Sequence, residues 1–250
     1  MKIVIVLLLT CFSSSLFAQN VTDAKGKKQG IWSKTYPGTK VYQYKGQFKD
    51  DKPVGTFTYF YPTTKVKAII KHDAGSNRSV AYFYHENTKL MSSGIYRDMK
   101  KDSVWLNFGP SGKLSSSETF KNDLLDGKKI VYYVPEEIED NSKHISSTSA
   151  YVAGKIDGEY LEFFENGTTK IKGSYALDKK IGIWYHYHPN GKKMMLERFK
   201  NGVRHGWAFG YDEKEVEIGR FYYYYGSRLE GKELEHKLAQ FKEKGINPNE

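Results

Sequence analysis

From residue 30 onward the chain repeats one arrangement of aromatic, apolar and turn-forming positions. Gly30-Ile-Trp-Ser-Lys-Thr-Tyr-Pro-Gly-Thr-Lys40 is answered by Gly55-Thr-Phe-Thr-Tyr-Phe-Tyr-Pro-Thr-Thr-Lys65 and by Gly182-Ile-Trp-Tyr-His-Tyr-His-Pro-Asn-Gly-Lys192. Ser79, Ser103, Gly127, Gly158 and Gly206 open further copies, and the eight anchors lie 25, 24, 24, 24, 31, 24 and 24 residues apart. A fixed period of this length marks a repeat architecture. Three aromatic columns run through it. Two residues after the anchor stand Trp32, Phe57, Trp105, Tyr160 and Trp184. Five after it stand Phe60, Tyr84, Phe108, Tyr132, Phe163, Tyr187 and Tyr211. Near anchor+17 stand Phe48, Tyr96, Phe120, Tyr151, Tyr175, Phe199 and Tyr223.

Turn chemistry separates these columns. Pro189-Asn-Gly191, Pro110-Ser-Gly112 and Glu165-Asn-Gly167 supply the positive φ that tight hairpins need. A second polar turn, as in Lys200-Asn-Gly-Val-Arg-His-Gly206, separates one copy from the next. Each repeat therefore reads as one β-hairpin, and residues 30–230 read as an all-β, elongated array of sixteen antiparallel strands. Strict alternation puts the +2 and +5 columns on opposite faces, unless a bulge re-aims one of them. One hairpin is marginal in water, so neighbours must stack to bury an aromatic strip. The interval of 31 places seven extra residues within 136–148, at the repeat-five turn. Insertions in such arrays map to loops, often on the binding face.

The two ends differ from the array. Residues 1–18 have the order of a secretory signal: Lys2, an apolar run from Ile3, then Leu16-Phe17-Ala18 before a cut that leaves Gln19 first. A rival reading makes Leu8-Leu9-Thr10-Cys11 a lipoprotein box, with Thr10 where a smaller residue is usual. No later segment is apolar for long enough to span a bilayer as a helix. Residues 19–29 form a polar lead-in. Within 231–250, Leu234, Leu238 and Phe241 fall at i, i+4 and i+7, which predicts an amphipathic helix stopped by Gly245 and Pro248 and capping the last sheet edge.

The pattern Gly-x-Trp-x-x-Tyr, then Pro-Asn-Gly-Lys, then Lys-Gly-Ser-Tyr175 or Lys-Gly-Gln-Phe48, resembles the bacterial variant of the MORN repeat over residues 23 to about 228. Such chains are grouped as YwqK-type antitoxin-like proteins. The resemblance implies a hairpin array with a binding or scaffolding role and no catalytic residues. Ser79 and Ser103 depart from it at the anchor, and Ala81, Lys129 and Ala208 depart from it at the +2 aromatic.

Composition and charge narrow the function. With 20 Tyr, 14 Phe and 23 Gly but 1 Cys, neither a helical bundle nor a disulfide framework fits. Residues 19–80 carry 12 Lys/Arg against 4 acids, or +8. Residues 118–140 carry 3 against 7, or −4, and residues 165–206 carry 9 against 3, or +6. Basic stripes with interleaved aromatics suit anionic envelope polymers or lipid surfaces, or a protein partner; nucleic acid is not expected for an exported chain. The binding candidates are Trp32, Phe57, Trp105, Tyr160 and Trp184 with Lys192, Lys193 and Arg204. No hydrolase elbow, P-loop or zincin motif occurs, and no cofactor is expected. His186 and His188, with His205 or Glu197 as a third ligand, are the weak metal candidates. The acid pairs Glu136/Glu137 and Glu162/Glu165 read as solvated charge rather than an acid–base pair. These readings point to an exported, non-catalytic interaction or scaffold module, periplasmic, surface-bound or secreted. An antitoxin-like or immunity-like neutraliser is the alternative, and an envelope glycan hydrolase the third reading.

Overall fold

The computed structural model describes residues 19–249. The signal-like segment and Cys11 lie outside the described residues. Among the described residues the fold is one open sheet of 19 strands, in which strands consecutive in sequence pair antiparallel, except that Lys193–Lys200 pairs with both Val203–Arg204 and Gly206–Tyr211. Sixteen strands form the eight hairpins, beginning with Lys28–Thr35 against Tyr42–Lys49 and Lys52–Phe60 against Val66–His72. Then come Arg78–Tyr84 with Leu90–Arg97, Lys100–Phe108 with Leu114–Lys121, and Leu124–Tyr132 with Ile145–Val152. Lys155–Phe163 with Thr169–Ala176, Lys179–Tyr187 with Lys193–Lys200, and Gly206–Tyr211 with Glu217–Tyr224 complete the series. Three short strands are additional. Val21–Thr22 pairs with the first hairpin, Val203–Arg204 precedes the last, and Ser227–Leu229 follows it.

Strands begin earlier than the anchors suggest. Two-residue turns with both φ positive, such as Asp50-Asp51, Leu177-Asp178 and Asn201-Gly202, connect the repeats. This is the hairpin turn whose twist matches that of the strands it joins. The strand is already running at Lys179, so the anchor Gly182 lies inside it. Gly182 has φ +66 and forms a bulge in which Gly182, Ile183 and Trp184 oppose the single residue Gly173. Two extra residues leave the side-chain alternation intact. Ser103 adopts the same conformation, at φ +59. Ser79 does not, and the strand that carries it pairs with the preceding strand without a bulge.

Preserved alternation puts the whole +2 column on one face. The register runs from Trp32 opposite Gly46 through Phe57, Ala81, Trp105, Lys129 and Tyr160 to Trp184 without changing side. The +17 rings share that face: Phe48, Tyr96, Tyr175 and Phe199 stand 5.9, 4.9, 5.0 and 6.0 Å from Trp32, Trp105, Trp184 and Trp184. By the same alternation the +5 column lies on the other face, where Tyr187 sits 6.3 Å from Tyr185. Both faces therefore carry aromatics; the first packs them deeply along the array, and the second does so at its C-terminal end, where Tyr222, opposite Trp207, is buried. Among the described residues the buried apolar side chains number nine, strung along the array rather than gathered in one core.

The helix Gly231–Glu243 lies where the periodicity predicts it. It covers a face as well as following the last strand. Phe241, with Leu234 and Leu238, packs on Tyr222, Tyr224 and Leu229, and the tail continues so that Tyr222 Oη donates to Pro248 O at 2.8 Å. No helix among the described residues is long and apolar enough to cross a membrane.

Candidate functional site

The packed face is built on a size exchange between strands. An ideal Cβ on Gly173 would stand 2.2 Å from Trp184 Cδ2, so only glycine lets the indole lie on the neighbouring strand. Gly94 under Trp105 and Gly46 under Phe57 repeat the arrangement. Where the partner is larger, the +2 residue changes. Ile70 faces Ala81, Ser149 faces Tyr160, and Glu118 faces Lys129 across a 3.0 Å ion pair. The departures at Ala81, Lys129 and Ala208 are thus filled sites: Ala81 and Ala208 are themselves buried.

This places the sequence-predicted residues plainly. Phe57, Trp105 and Trp184 are 2%, 1% and 1% exposed and serve as packing, while Trp32 and Tyr160 keep part of their surface. Lysines cover the rings. Lys28, Lys101 and Lys180 Nζ stand 4.9, 4.5 and 4.1 Å from the centroids of Trp32, Trp105 and Trp184. Such a contact shields the ring and contributes of the order of 0.5–1 kcal/mol when exposed. Lys192 and Lys193 lie exposed at a hairpin tip. Arg204 is committed instead to Glu197.

The histidines separate. His186 Nε2 lies 3.2 Å from Glu197 Oε2, but His188 Nε2 donates to Tyr211 O at 3.1 Å, in the next repeat. His188 belongs to a column of latches. Tyr36, Tyr61 and Tyr133 Oη donate to Phe60, Tyr84 and Phe163 carbonyls at 2.7, 2.8 and 2.7 Å, and His85 reaches Phe108 O at 3.0 Å. His205 is buried, and its Nδ1 accepts the Tyr225 N–H at 3.3 Å. No group of three or more His, Cys, Asp or Glu able to hold a metal occurs among the described residues.

Electrostatics on this face are settled within the chain from repeat four onward. Burial alone would raise the Glu197 carboxyl, but hydrogen bonds from His186 and Arg204 outweigh it and hold the group below its usual range. Burial, then the Glu162 carboxylate, pushes the Tyr160 phenol up to about 12, and Tyr160 Oη donates to Glu162 at 3.2 Å. Lys170 Nζ pairs with the same carboxylate at 2.7 Å. Glu162 therefore sits on a strand in a neutralised cluster, apart from Glu165 in the turn.

The first three repeats differ. Here the packed face opens into a groove of about 780 Å³. Tyr44, Tyr59, Ile70 and Phe83 line its floor, and Lys28, Lys34 and Lys67 stand around it. No carboxylate lines it, and none of the three lysines forms an ion pair among the described residues. The column arithmetic pointed to Trp32, which lines the groove, but not to Tyr44, Tyr59, Ile70 or Phe83. Its floor comes from the +4 row and the strand opposite, whose types vary from repeat to repeat. The uneven charge, +8 over residues 19–80, was the usable signal.

The insertion forms the loop between Tyr132 and Ile145, and Ile145 to Thr148 already belong to the returning strand. Asn141 is buried and ties the loop to the sheet: its Oδ1 accepts Leu114 N–H at 3.1 Å and its Nδ2 donates to Leu114 O at 2.7 Å.

Comparison with known proteins identifies no relative. No protein-family model matches the chain, and no curated protein matches it. Among solved structures, the crystal structure of a TcdB2–TccC3–Cdc42 complex is similar at 11% identity and a TM-score of 0.20, over 81% of this chain and 12% of that one. So distant a likeness bears on neither fold nor function.

Proposed function

We propose that the chain is an exported, non-catalytic repeat scaffold of the MORN-like kind, which docks an anionic partner on its first three repeats. The groove carries this reading. It joins an aromatic floor to three lysines with no carboxylate partner among the described residues, whereas Glu118, Glu162 and Glu197 further along the same face each have a cation beside them. Apolar contact surrounded by complementary charge is what an interface needs. The internal neutralisation of Glu162 and Glu197 argues against an acid–base pair, which needs a poised carboxyl. The signal-like order of residues 1–18 supports export.

Two measurements test this. N-terminal sequencing of the protein recovered from its own cells is expected to begin at Gln19; an intact Met1 overturns export. Residues 19–250, immobilised and washed with envelope extract, are expected to retain an acidic component that Lys34→Ala/Lys67→Ala no longer retains. Retention unchanged by that double variant overturns the groove as the docking surface.

A further inference from the structure

The chemistry of the groove also selects its occupant, on the reading that it is the docking surface. We infer that it binds a segment of acidic polysaccharide, with uronate-type or other anionic substituents on pyranose rings. The floor is a row of tilted facets. Tyr44 and Tyr59 have centroids 6.0 Å apart and inclined at 44°, and both adjoin the buried Phe57, at 6.2 and 6.3 Å with inclinations of 30° and 29°. Rings set side by side around a buried ring form a faceted apolar surface. The broad C–H face of a pyranose covers such a surface well. A nucleobase stacks best on a ring that offers its whole face, and Tyr44 and Tyr59 are both half-buried.

The polar groups fit the same occupant. Lys34 and Lys67 are exposed and form no ion pair among the described residues, Lys67 Nζ standing 5.7 Å from the Tyr61 ring centroid, and their ammonium groups are the complement of a carboxylate. Gln43 lines the groove, and its side chain makes no hydrogen bond among the described residues. An amide has both a donor and an acceptor, which suits a pair of neighbouring hydroxyls. Burial, then the nearby Tyr44, raises the Tyr59 phenol, so it remains an uncharged ring beneath an anionic chain. The groove crosses the five strands from Lys28–Thr35 to Arg78–Tyr84, about 19 Å at the usual strand spacing. That length accepts several sugar units of a chain.

The test is calorimetric titration of the full mature chain with polygalacturonate, dextran, polyglutamate and oligothymidylate, at low salt and at 0.5 M salt. Polygalacturonate is expected to bind at least tenfold more tightly than each of the others and to keep measurable affinity at 0.5 M salt. Lys34→Ala/Lys67→Ala and Tyr59→Ala are each expected to weaken it about tenfold, with thermal melting as the check that the array survives. Should Tyr59→Ala melt, Gln43→Ala carries the same expectation for the sugar-specific part. Equal binding of polyglutamate or oligothymidylate, abolished by the lysine variant, overturns the sugar assignment and leaves the groove a docking surface. Indifference of every polyanion to the lysine variant, or no binding at all, overturns both.

Discussion

A single contact recurs at the residue scale, a large ring laid on a glycine of the neighbouring strand. Trp184→Ala is expected to lower stability by about 3 kcal/mol or more, as for other buried aromatic truncations, measured by urea unfolding. A loss below about 0.5 kcal/mol would move Trp184 out of the packing. The exchange of sizes predicts something sharper. Ala81→Trp alone meets Ile70, and Ile70→Gly alone leaves the site half empty. The double variant recreates the Gly94–Trp105 pair one repeat earlier. It should be more stable than the two single losses add up to, with a coupling of at least about 1 kcal/mol in a double-mutant cycle.

Titration belongs to this scale too. Burial lowers the folded-state value of His72, and burial followed by the Lys200 charge lowers that of His205. Below the usual imidazole value near 6.5 the unfolded chain takes up protons that the folded chain refuses, so stability falls as pH drops from there towards the folded values. Glu197 adds to the loss at lower pH: its folded-state value is depressed, so its contribution holds above the ordinary carboxyl range and disappears as pH falls through the folded value. Protonating His205 also removes the acceptor for the Tyr225 N–H. His205→Gln is therefore expected to flatten the part of the stability–pH curve just below pH 6.5 and leave the lower part, due to Glu197, in place. An unchanged curve would mean that His205 titrates alike in both states.

The repeats gain their order at the element scale from two ladders, one along each long edge of the sheet. Pre-turn hydroxyls and imidazoles reach the carbonyl of the next hairpin, and at the other edge each two-residue turn bonds back to the previous one, as Asp178 N does to Ile156 O at 2.9 Å. Tyr61→Phe should cost about 1 kcal/mol, the worth of one half-buried hydrogen bond. Leu177 works the other way. It holds φ +47 in a turn that favours Asn or Gly, and its side chain is largely exposed. Leu177→Asn is expected to stabilise the array by about 0.5–1 kcal/mol, read as a higher melting temperature.

How much of this the chain spells out also differs by element. The period, the aromatic columns and the tip turns at Gly112, Gly167 and Gly191 are legible because each needs a particular residue at a fixed distance. Strand starts are not. Gly182 reads as the end of a turn, since glycine serves both turns and bulges, and only the partner strand shows which. The same gap hid the groove. Its character comes from Tyr44, Tyr59 and Phe83 sharing a face across four strands, a relation set by register and not by any one repeat. Arg204 shows the limit most clearly: a basic residue on an exposed strand looks free until Glu197, seven positions earlier, is seen to be buried against it.

At the scale of the molecule the array is one sheet, covered by the helix at its end, in which contacts run between adjoining repeats, so its stability is a chain of local sums. Its two ends are not equivalent. At the start, Val21–Thr22 adds two residues of pairing, and Trp32 Nε1 donates to Gln29 O at 3.1 Å. At the finish, Ser227–Leu229 is backed by a helix that buries Tyr222 and Leu229, and the tail returns so that Asn249 accepts the Trp207 N–H at 3.1 Å. Tyr222, held at 0% exposure with its phenol pushed up to about 12 by burial and by Tyr224, becomes open to water without this cover. Removing residues 231–250 should therefore unzip the array from its C-terminal end. Amide exchange is expected to quicken in Gly206–Tyr211 and Glu217–Tyr224, to a smaller degree in Lys193–Lys200, and not at all in the first three repeats. Uniform loss of protection along the chain would instead mean that the eight hairpins fold as one cooperative unit. The groove would then depend on the helix at the far end, and polyanion binding at the first three repeats would fall together with the truncation. Local unzipping leaves that binding intact, so exchange and binding on the same truncated chain separate the two behaviours.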